Sequence, residues 1–240
     1  MSVRGTPKAA LIDSSVNDDL ALLAERALEF VHAGTIVGLG SGHASSAFVR
    51  ALGERARRGL TVTCVPTSTA IARLATEVGL RIVDLGETPL DLTVDGADEV
   101  DPQLNAIKGF GGALVRERIV AAASRRQILL VRADKLVPVL GSRGRLPVEV
   151  LPFAMRFCSR KLRELGFAPE VRQDGERPLV TENGNFTLDC VSGPLADPAS
   201  TKSVLCGIPG VVDTGLFLGT AERVLVAEGS IIRELRRKEN

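Results

Sequence analysis

Short β-rich runs alternate with helical apolar patterns along the first half of the chain, and few architectures accept that alternation. From Asp18 to Val31 the positions Leu20, Leu23, Ala24, Ala27, Leu28 and Val31 follow helical spacing, and Gly34 supplies a stop. Thr35 to Val37 then reads as a strand. It runs into the glycine-rich Gly38-Leu39-Gly40-Ser41-Gly42 and a second helical pattern through Phe48, Val49 and Leu52. The alternation recurs at Thr61 to Val65 with Ala70 to Val78, at Arg81 to Leu85, at Leu92 to Val94 with Leu114 to Ala123, and at Ile128 to Val131. Repeated strand–loop–helix units imply an α/β fold whose mostly parallel sheet is covered on both faces.

After about Gly141 the texture changes, with Gly141, Gly144, Pro147 and Pro152 close together. A smaller α+β unit is expected there. Its predicted elements are a strand at Val148 to Leu151, a helix from Phe153 to Leu165 and strands near Pro169 to Arg172, Leu179 to Thr181 and Phe186 to Cys190. A helix from Pro198 to Cys206 follows. Asn183-Gly184-Asn185 between two strand-like runs suggests a tight hairpin. The segments Arg223 to Ala227 and Ile231 to Leu235 are expected to return to the first unit. The expected domains are therefore 1–140 together with about 213–240, and 141–212.

Thirty Lys and Arg face twenty-nine Asp and Glu, a net charge of +1, so no global basic field exists to hold nucleic acid or an anionic membrane. Any anion must be bound locally. Apolar runs such as Ile128 to Val131 fall far short of the ~20 residues of a membrane span. Asp13, Asp18 and Asp19 interrupt the stretch where a signal peptide needs a continuous apolar core, and a cytoplasmic protein is expected. Cys64, Cys158, Cys190 and Cys206 form no CxxC pair, which argues for buried small side chains over a disulfide framework or a zinc site. Trp and Tyr are absent. The arginine-rich stretches Arg55 to Arg58, Arg156 to Arg163 and Arg233 to Lys238 read as solvated faces.

In an open parallel sheet, ligands bind at the carboxyl ends of the strands, so the loops after strands carry the candidates. Gly38 to Ser45 opens a helix, and its backbone N–H groups suit a phosphate. The spacing is GxGxG, and the next strand ends in Val65-Pro66-Thr67-Ser68 without an acidic residue, both of which speak against a dinucleotide. A tight turn with no ligand remains open. Asp95-Gly96-Ala97-Asp98-Glu99 puts three carboxylates directly after a strand, where capping by Asp98 and a magnesium site are the competing readings. Lys108-Gly109-Phe110-Gly111-Gly112 is a second anion cradle, with Glu117 one turn into the helix beyond it. Glu117 is either aimed into the pocket of Asp95 and Lys108 or a solvated residue paired with an Arg. Lys135 and Asp134 lie after the fifth strand, and His43 either donates to a phosphate or caps its helix.

Six motifs in this order resemble the type A ribose-5-phosphate isomerase family over nearly the whole chain. They are Gly38-Leu39-Gly40-Ser41-Gly42, Val94-Asp95-Gly96-Ala97-Asp98-Glu99, Ile107-Lys108-Gly109, Leu146-Pro147-Val148-Glu149-Val150, Thr181-Glu182-Asn183-Gly184-Asn185 and Ile208-Pro209-Gly210-Val211-Val212. The resemblance implies a Rossmann-like domain with a smaller ferredoxin-like α+β domain, a homodimer, no metal and no other cofactor. It implies interconversion of ribose 5-phosphate and ribulose 5-phosphate in the pentose phosphate pathway. On this resemblance Glu117 matches the general base, and Asp95, Asp98 and Lys108 match positions that open the furanose ring and stabilise the oxyanion. Ser41, Gly42, His43 and Ala44 match the first ligand loop, and Lys135 matches a substrate-binding lysine. Gly96, Ala97, Gly109, Phe110 and Gly111 complete the expected substrate-binding set.

Three departures lie beside this site. His43-Ala44 stands where the family usually has Ser-Thr, Phe110 replaces a glycine, and Val115 stands where Thr is common. They bear on the substrate more than on the type of reaction. An isomerase for another phosphorylated aldose and a non-catalytic sugar-phosphate sensor are the alternatives.

Overall fold

The computed structural model describes residues 14–237, so Asp13 and Lys238, together with the outer ends of the expected first domain, lie outside the described residues. Helix α1 (Ser14–Leu28) buries Leu23, Ala24, Ala27 and Leu28, the stripe that its spacing predicts. Strand β1 (Ile36–Leu39) leads through the glycine loop into α2 (His43–Arg57). Next come β2 (Thr63–Pro66), α3 (Thr69–Glu77), the two-residue β3 (Arg81–Ile82) and β4 (Leu92–Gly96). β3 is shorter than the expected Arg81 to Leu85 because it is an edge strand with one partner.

Two short strands, β5 (Glu99–Val100) and β6 (Ala106–Ile107), precede α4 (Leu114–Ala122) and β7 (Gln127–Arg132). The second unit contains β8 (Leu146–Val150), α5 (Met155–Glu164), β9 (Ala168–Val171), β10 (Gln173–Asp174), β11 (Arg177–Pro178), β12 (Phe186–Val191), α6 (Pro198–Cys206) and β13 (Val211–Thr214). The chain then forms β14 (Leu216–Phe217), β15 (Arg223–Glu228) and β16 (Ile231–Arg236).

The large sheet has the order β16-β15-β7-β4-β1-β2-β3 and is parallel except for β16, which runs antiparallel to β15. Helices α1, α2 and α3 bury Leu23, Phe48, Leu52 and Ile71 in one cluster with β1, β2 and β4, while Val120 of α4 and Phe217 of β14 lie in separate clusters. Truncating a fully buried leucine such as Leu39 to alanine would cost about 2–5 kcal/mol. The chain builds outward from β1 to β3, then returns to place β4 on the other side of β1. That reversal leaves a crevice at the carboxyl ends of β1 and β4, the place where such sheets bind ligands.

The smaller unit is a four-stranded antiparallel sheet, β13-β8-β12-β9, whose last strand extends to Thr214, two residues past the expected boundary at 212. Leu179 to Thr181 is not a strand: only Val180 bridges to Phe186, and the hairpin in this region is β10–β11. The Asn183-Gly184-Asn185 turn is still tight, with Thr181 N donating to Asn185 O at 2.8 Å and Gly184 at φ 79°. The expected helix from Phe153 begins as a 3₁₀ turn at Pro152–Ala154, with the Phe153 side chain exposed. Of the four cysteines, Cys206 is exposed and the other three are buried.

A third, three-stranded sheet, β14-β6-β5, has no counterpart in the sequence reading. Its strands of two residues are too short to carry a period. It sets Lys108, just after β6, by a bond from Lys108 N to Gly215 O at 2.9 Å.

Candidate active site

The crevice begins with two glycines that do different work. A Cβ on Gly40 would stand 2.0 Å from Asp95 Oδ1, so only glycine lets the end of β1 approach the carboxylate on β4. Gly42 has φ 98°, the left-handed region that glycine enters without strain, and turns the chain into α2. The first amides of α2 are thereby presented at the crevice. His43 is the first helical residue and is exposed, but its side chain makes no capping bond, so the capping reading fails. Ser41 Oγ is turned toward the loop after β2, 2.9 Å from Thr67 Oγ1 and donating to Ser68 Oγ at 2.8 Å.

Asp95 lies near the end of β4 and is fully buried. Its Oδ1 accepts from Ser45 Oγ at 3.1 Å and from Gly96 N at 2.7 Å. Its Oδ2 faces Lys108 Nζ at 2.9 Å, and Glu117 Oε2 faces the same ammonium at 3.2 Å. The directed hydrogen bond of Lys108 goes elsewhere, to Gly96 O at 2.7 Å. The two carboxylate oxygens accept no bond of good geometry and are held by charge. Beneath the ammonium lies the buried ring of Phe217, 5.4 Å from Nζ to its centroid.

Burial drives the ionisation of this cluster. It pushes Glu117 up from 4.5 to about 7, and the Asp95 charge adds to the shift, while Lys108 opposes both. Burial disfavours the Lys108 ammonium, but Asp95 and Glu117 outweigh it and hold the group charged, above the usual lysine value. Asp98 is raised by burial against the Phe110 amide and Lys108, which lower it. Its Oδ2 accepts from Phe110 N at 3.0 Å; no helix follows it, so Asp98 caps none.

A cavity of about 590 Å³ opens over this cluster and is walled by the loops after β1, β4, β6 and β7. Ser41, Gly42, His43, Ala44, Gly96 and Ala97 border it. Asp98, Lys108, Gly109, Phe110, Gly111, Glu117 and Lys135 border it as well. Asp95 alone among the expected residues is shut away from it, behind Lys108. Glu117 is buried and faces a lysine, so the reading of a solvated residue paired with an Arg fails. Phe110 also packs against the small-sheet cluster, with the Arg145 guanidinium 4.7 Å over its ring. The third acid, Glu99, points elsewhere and accepts from Gly141 N at 2.6 Å and Arg143 N at 2.8 Å. Among the described residues no group of three or more His, Cys, Asp or Glu is arranged to hold a metal ion.

Sequence reasoning missed Ser45, Thr67 and Ser68, which brace Asp95 and Ser41. The hydroxyl-rich end of the second strand was the available signal. It also missed the role of Glu182, whose carboxylate accepts from Thr69 N at 2.8 Å and Arg116 Nη1 at 2.6 Å. The turn on the small unit is thereby tied to the starts of α3 and α4.

The sequence profile of ribose 5-phosphate isomerase A (phosphoriboisomerase A) matches residues 63–230. A ribose-5-phosphate isomerase A from Gloeobacter violaceus is 48% identical over 211 residues, 87% of this chain and 92% of that protein. The solved ribose 5-phosphate isomerase A of Methanocaldococcus jannaschii matches with a TM-score of 0.87 at 36% identity, covering 92% of this chain and 99% of that one. A D-ribose-5-phosphate isomerase solved in complex with phospho-erythronic acid matches with a TM-score of 0.89 at 34% identity, over 92% and 99% of the two chains. With a profile covering most of its length, relatives near half identity and the same fold, the chain belongs to the ribose 5-phosphate isomerase A family.

Proposed function

We propose that the chain interconverts ribose 5-phosphate and ribulose 5-phosphate by moving a proton between C1 and C2 through an enediolate. The observation that carries this reading is the buried Asp95–Lys108–Glu117 cluster opening on one cavity. Glu117 takes the proton from C2 of the open-chain aldose. The C–H electron pair becomes the C1–C2 double bond, and the carbonyl pair moves onto O1, which becomes an oxyanion. Transfer of the hydroxyl proton from O2 to O1 and return of the carbon proton from Glu117 to C1 leave the carbonyl at C2.

Each group suits its step. A base with its pKa near 7 is ionised in part at neutral pH and strong enough to take a carbon-bound proton. The Lys108 ammonium, fixed before substrate arrives, offsets the oxyanion at little reorganisation cost. Asp98 borders the cavity with its carboxyl raised above the usual carboxylate range by burial, which suits exchange of hydroxyl protons during ring opening. Asp95 acts through Lys108, holding it in place and charged. The amides of Ser41 to Ala44 and the Lys135 ammonium take the phosphate, and Gly96, Ala97, Gly109, Phe110 and Gly111 complete the wall. Phospho-erythronic acid, bound by the solved relative, joins a phosphate to an acid group and fits the same demands.

No step here calls for a cofactor. A homodimer and a cytoplasmic location belong to the same reading. Phe153 and Leu151, exposed together on the small unit, offer an apolar face for a second copy, and no described helix is long and apolar enough to cross a membrane. The expected division into 1–140 with about 213–240, and 141–212, is supported by the separate sheets once its second boundary is moved past Thr214, where β13 ends.

Conversion of ribose 5-phosphate by the purified, chelator-treated protein, with Glu117→Gln alongside, tests the proposal. Activity in the native protein and a loss on the order of 10³-fold in the variant are expected. A folded but inactive native protein, or a fully active variant, would overturn it.

A further inference from the structure

The small sheet reaches the active-site loop through Arg172, at the end of β9. Arg172 Nη1 donates to two carbonyls of the loop that carries Lys108, Gly109 O at 2.8 Å and Phe110 O at 3.2 Å. Its Nε donates to Asp189 Oδ2 at 2.9 Å and its Nη2 to Asp189 Oδ1. Asp189 is buried on β12. A two-point pair between guanidinium and carboxylate fixes the plane of the arginine as well as its position.

A trans peptide is planar, so its C=O and N–H point in opposite directions. Holding Gly109 O therefore turns Phe110 N–H to the far side, where it donates to Asp98 Oδ2 at 3.0 Å. Holding Phe110 O likewise turns Gly111 N–H away from the small sheet. Gly111 borders the cavity, and its N–H meets no protein acceptor among the described residues. The loop's own turn bond, from Gly112 N to Gly109 O at 3.1 Å, shares the first carbonyl with Arg172, whereas among the described residues Phe110 O has no backbone donor and depends on Arg172. Gly109 sits at φ 105°, and glycine passes between conformations that other residues cannot reach.

We infer that Arg172, seated on Asp189, is a positioning residue for the isomerisation: it sets the peptide planes of residues 109–111 so that one amide anchors Asp98 and the next donates to the oxyanion of the substrate. The domain that supplies none of the acid–base groups thus sets the donor geometry of the domain that supplies all of them.

This inference rests on the isomerase reading, and two independent readouts keep their failures apart. The first is kinetic. Arg172→Gln is expected to lower kcat on the order of tenfold to a hundredfold with KM within about threefold. It should weaken binding of phospho-erythronate by a similar factor, since on this proposal the Gly111 amide is the donor that meets the acid group of that compound. Arg172→Lys, which keeps a cationic donor but loses the planar two-point grip on Asp189, should recover part of kcat. Arg145→Gln is the control. Arg145 lies 3.7 Å from Asp189 and stacks on Phe110 but touches neither carbonyl, so kcat should stay within about twofold.

The second readout needs no turnover. Hydrogen exchange of the Phe110 amide in the ligand-free protein should quicken about tenfold or more in Arg172→Gln. The double variant Arg172→Gln/Asp189→Asn, which leaves no buried unpaired charge and frees only the exposed Arg145, should reproduce both changes while keeping its unfolding midpoint. Unchanged exchange at Phe110, or an equal kcat loss in Arg145→Gln, would overturn the inference. A native protein with no activity would overturn the isomerase reading instead, and exchange would still decide whether Arg172 holds the loop.

Discussion

The two glycine loops at the carboxyl edge have similar composition and opposite surroundings. The loop after β1 is open: Gly42 and His43 are exposed, no lysine or arginine lies within Gly40–Ala44, and the Ser41 side chain meets only the hydroxyls of Thr67 and Ser68. The loop after β6 is closed over a buried ammonium and two buried carboxylates, with Arg172 behind it. An exposed rim of amides can bind a phosphate that keeps part of its water. Proton transfer at carbon needs a base made stronger by lost water and a fixed charge beside it, and only the closed loop offers both.

The largest test of this contrast is Lys108→Met. It leaves Asp95 and Glu117 buried without their cation, and a stability loss of about 3–5 kcal/mol is expected in urea unfolding at pH 8, along with loss of turnover. A loss below about 1 kcal/mol would mean that the cluster is as wet as the rim.

The pH dependence comes next. Glu117 must be ionised to accept a proton, so kcat/KM should climb with pH through an inflection near its raised value of about 7 and then level off. Stability should move the other way. The folded state holds the Glu117 proton more tightly than the unfolded state, so this group favours folding below about 4.5 and loses that contribution as pH rises through about 7. Glu117→Gln should therefore unfold at higher urea than the native protein at pH 8 and lose that advantage near pH 4. An activity inflection at 4.5 would erase the difference between the loops.

Smaller effects belong to the rim. Lys135→Met should raise KM for ribose 5-phosphate about tenfold with kcat within about threefold, the pattern of lost uniform binding. A fall in kcat with unchanged KM would move Lys135 into the chemistry. His43→Ser, which restores a hydroxyl where the family usually has one, should shift KM by no more than about threefold, since the loop's backbone amides and not this exposed side chain are proposed to take the phosphate.

Much of this could be read along the chain. The alternation of period exposed β1, β2, β4 and β7 and the helices between them, because each of these strands is buried over several residues. The glycine loops and the acids after β4 were legible for a related reason: ligand loops follow strand ends, and strand ends could be found. The β14-β6-β5 sheet was not, since two-residue strands carry no pattern. Leu179 to Thr181 has a strand-like composition but no ladder to join, apart from the single bridge at Val180.

By itself the sequence determined which residue types stand at which strand ends, and so the class of chemistry: carboxylates, a lysine and backbone amides in loops that a parallel sheet gathers at one edge. Only the tertiary structure decided that Asp95 is sealed behind Lys108, that Glu117 faces the same ammonium and has its pKa raised to about 7, and that Arg172 grips the loop from another sheet. The physical reason is that type and spacing are local properties of a chain. Burial, ionisation and the orientation of a peptide plane depend on groups that are not neighbours in the chain until folding brings them into contact.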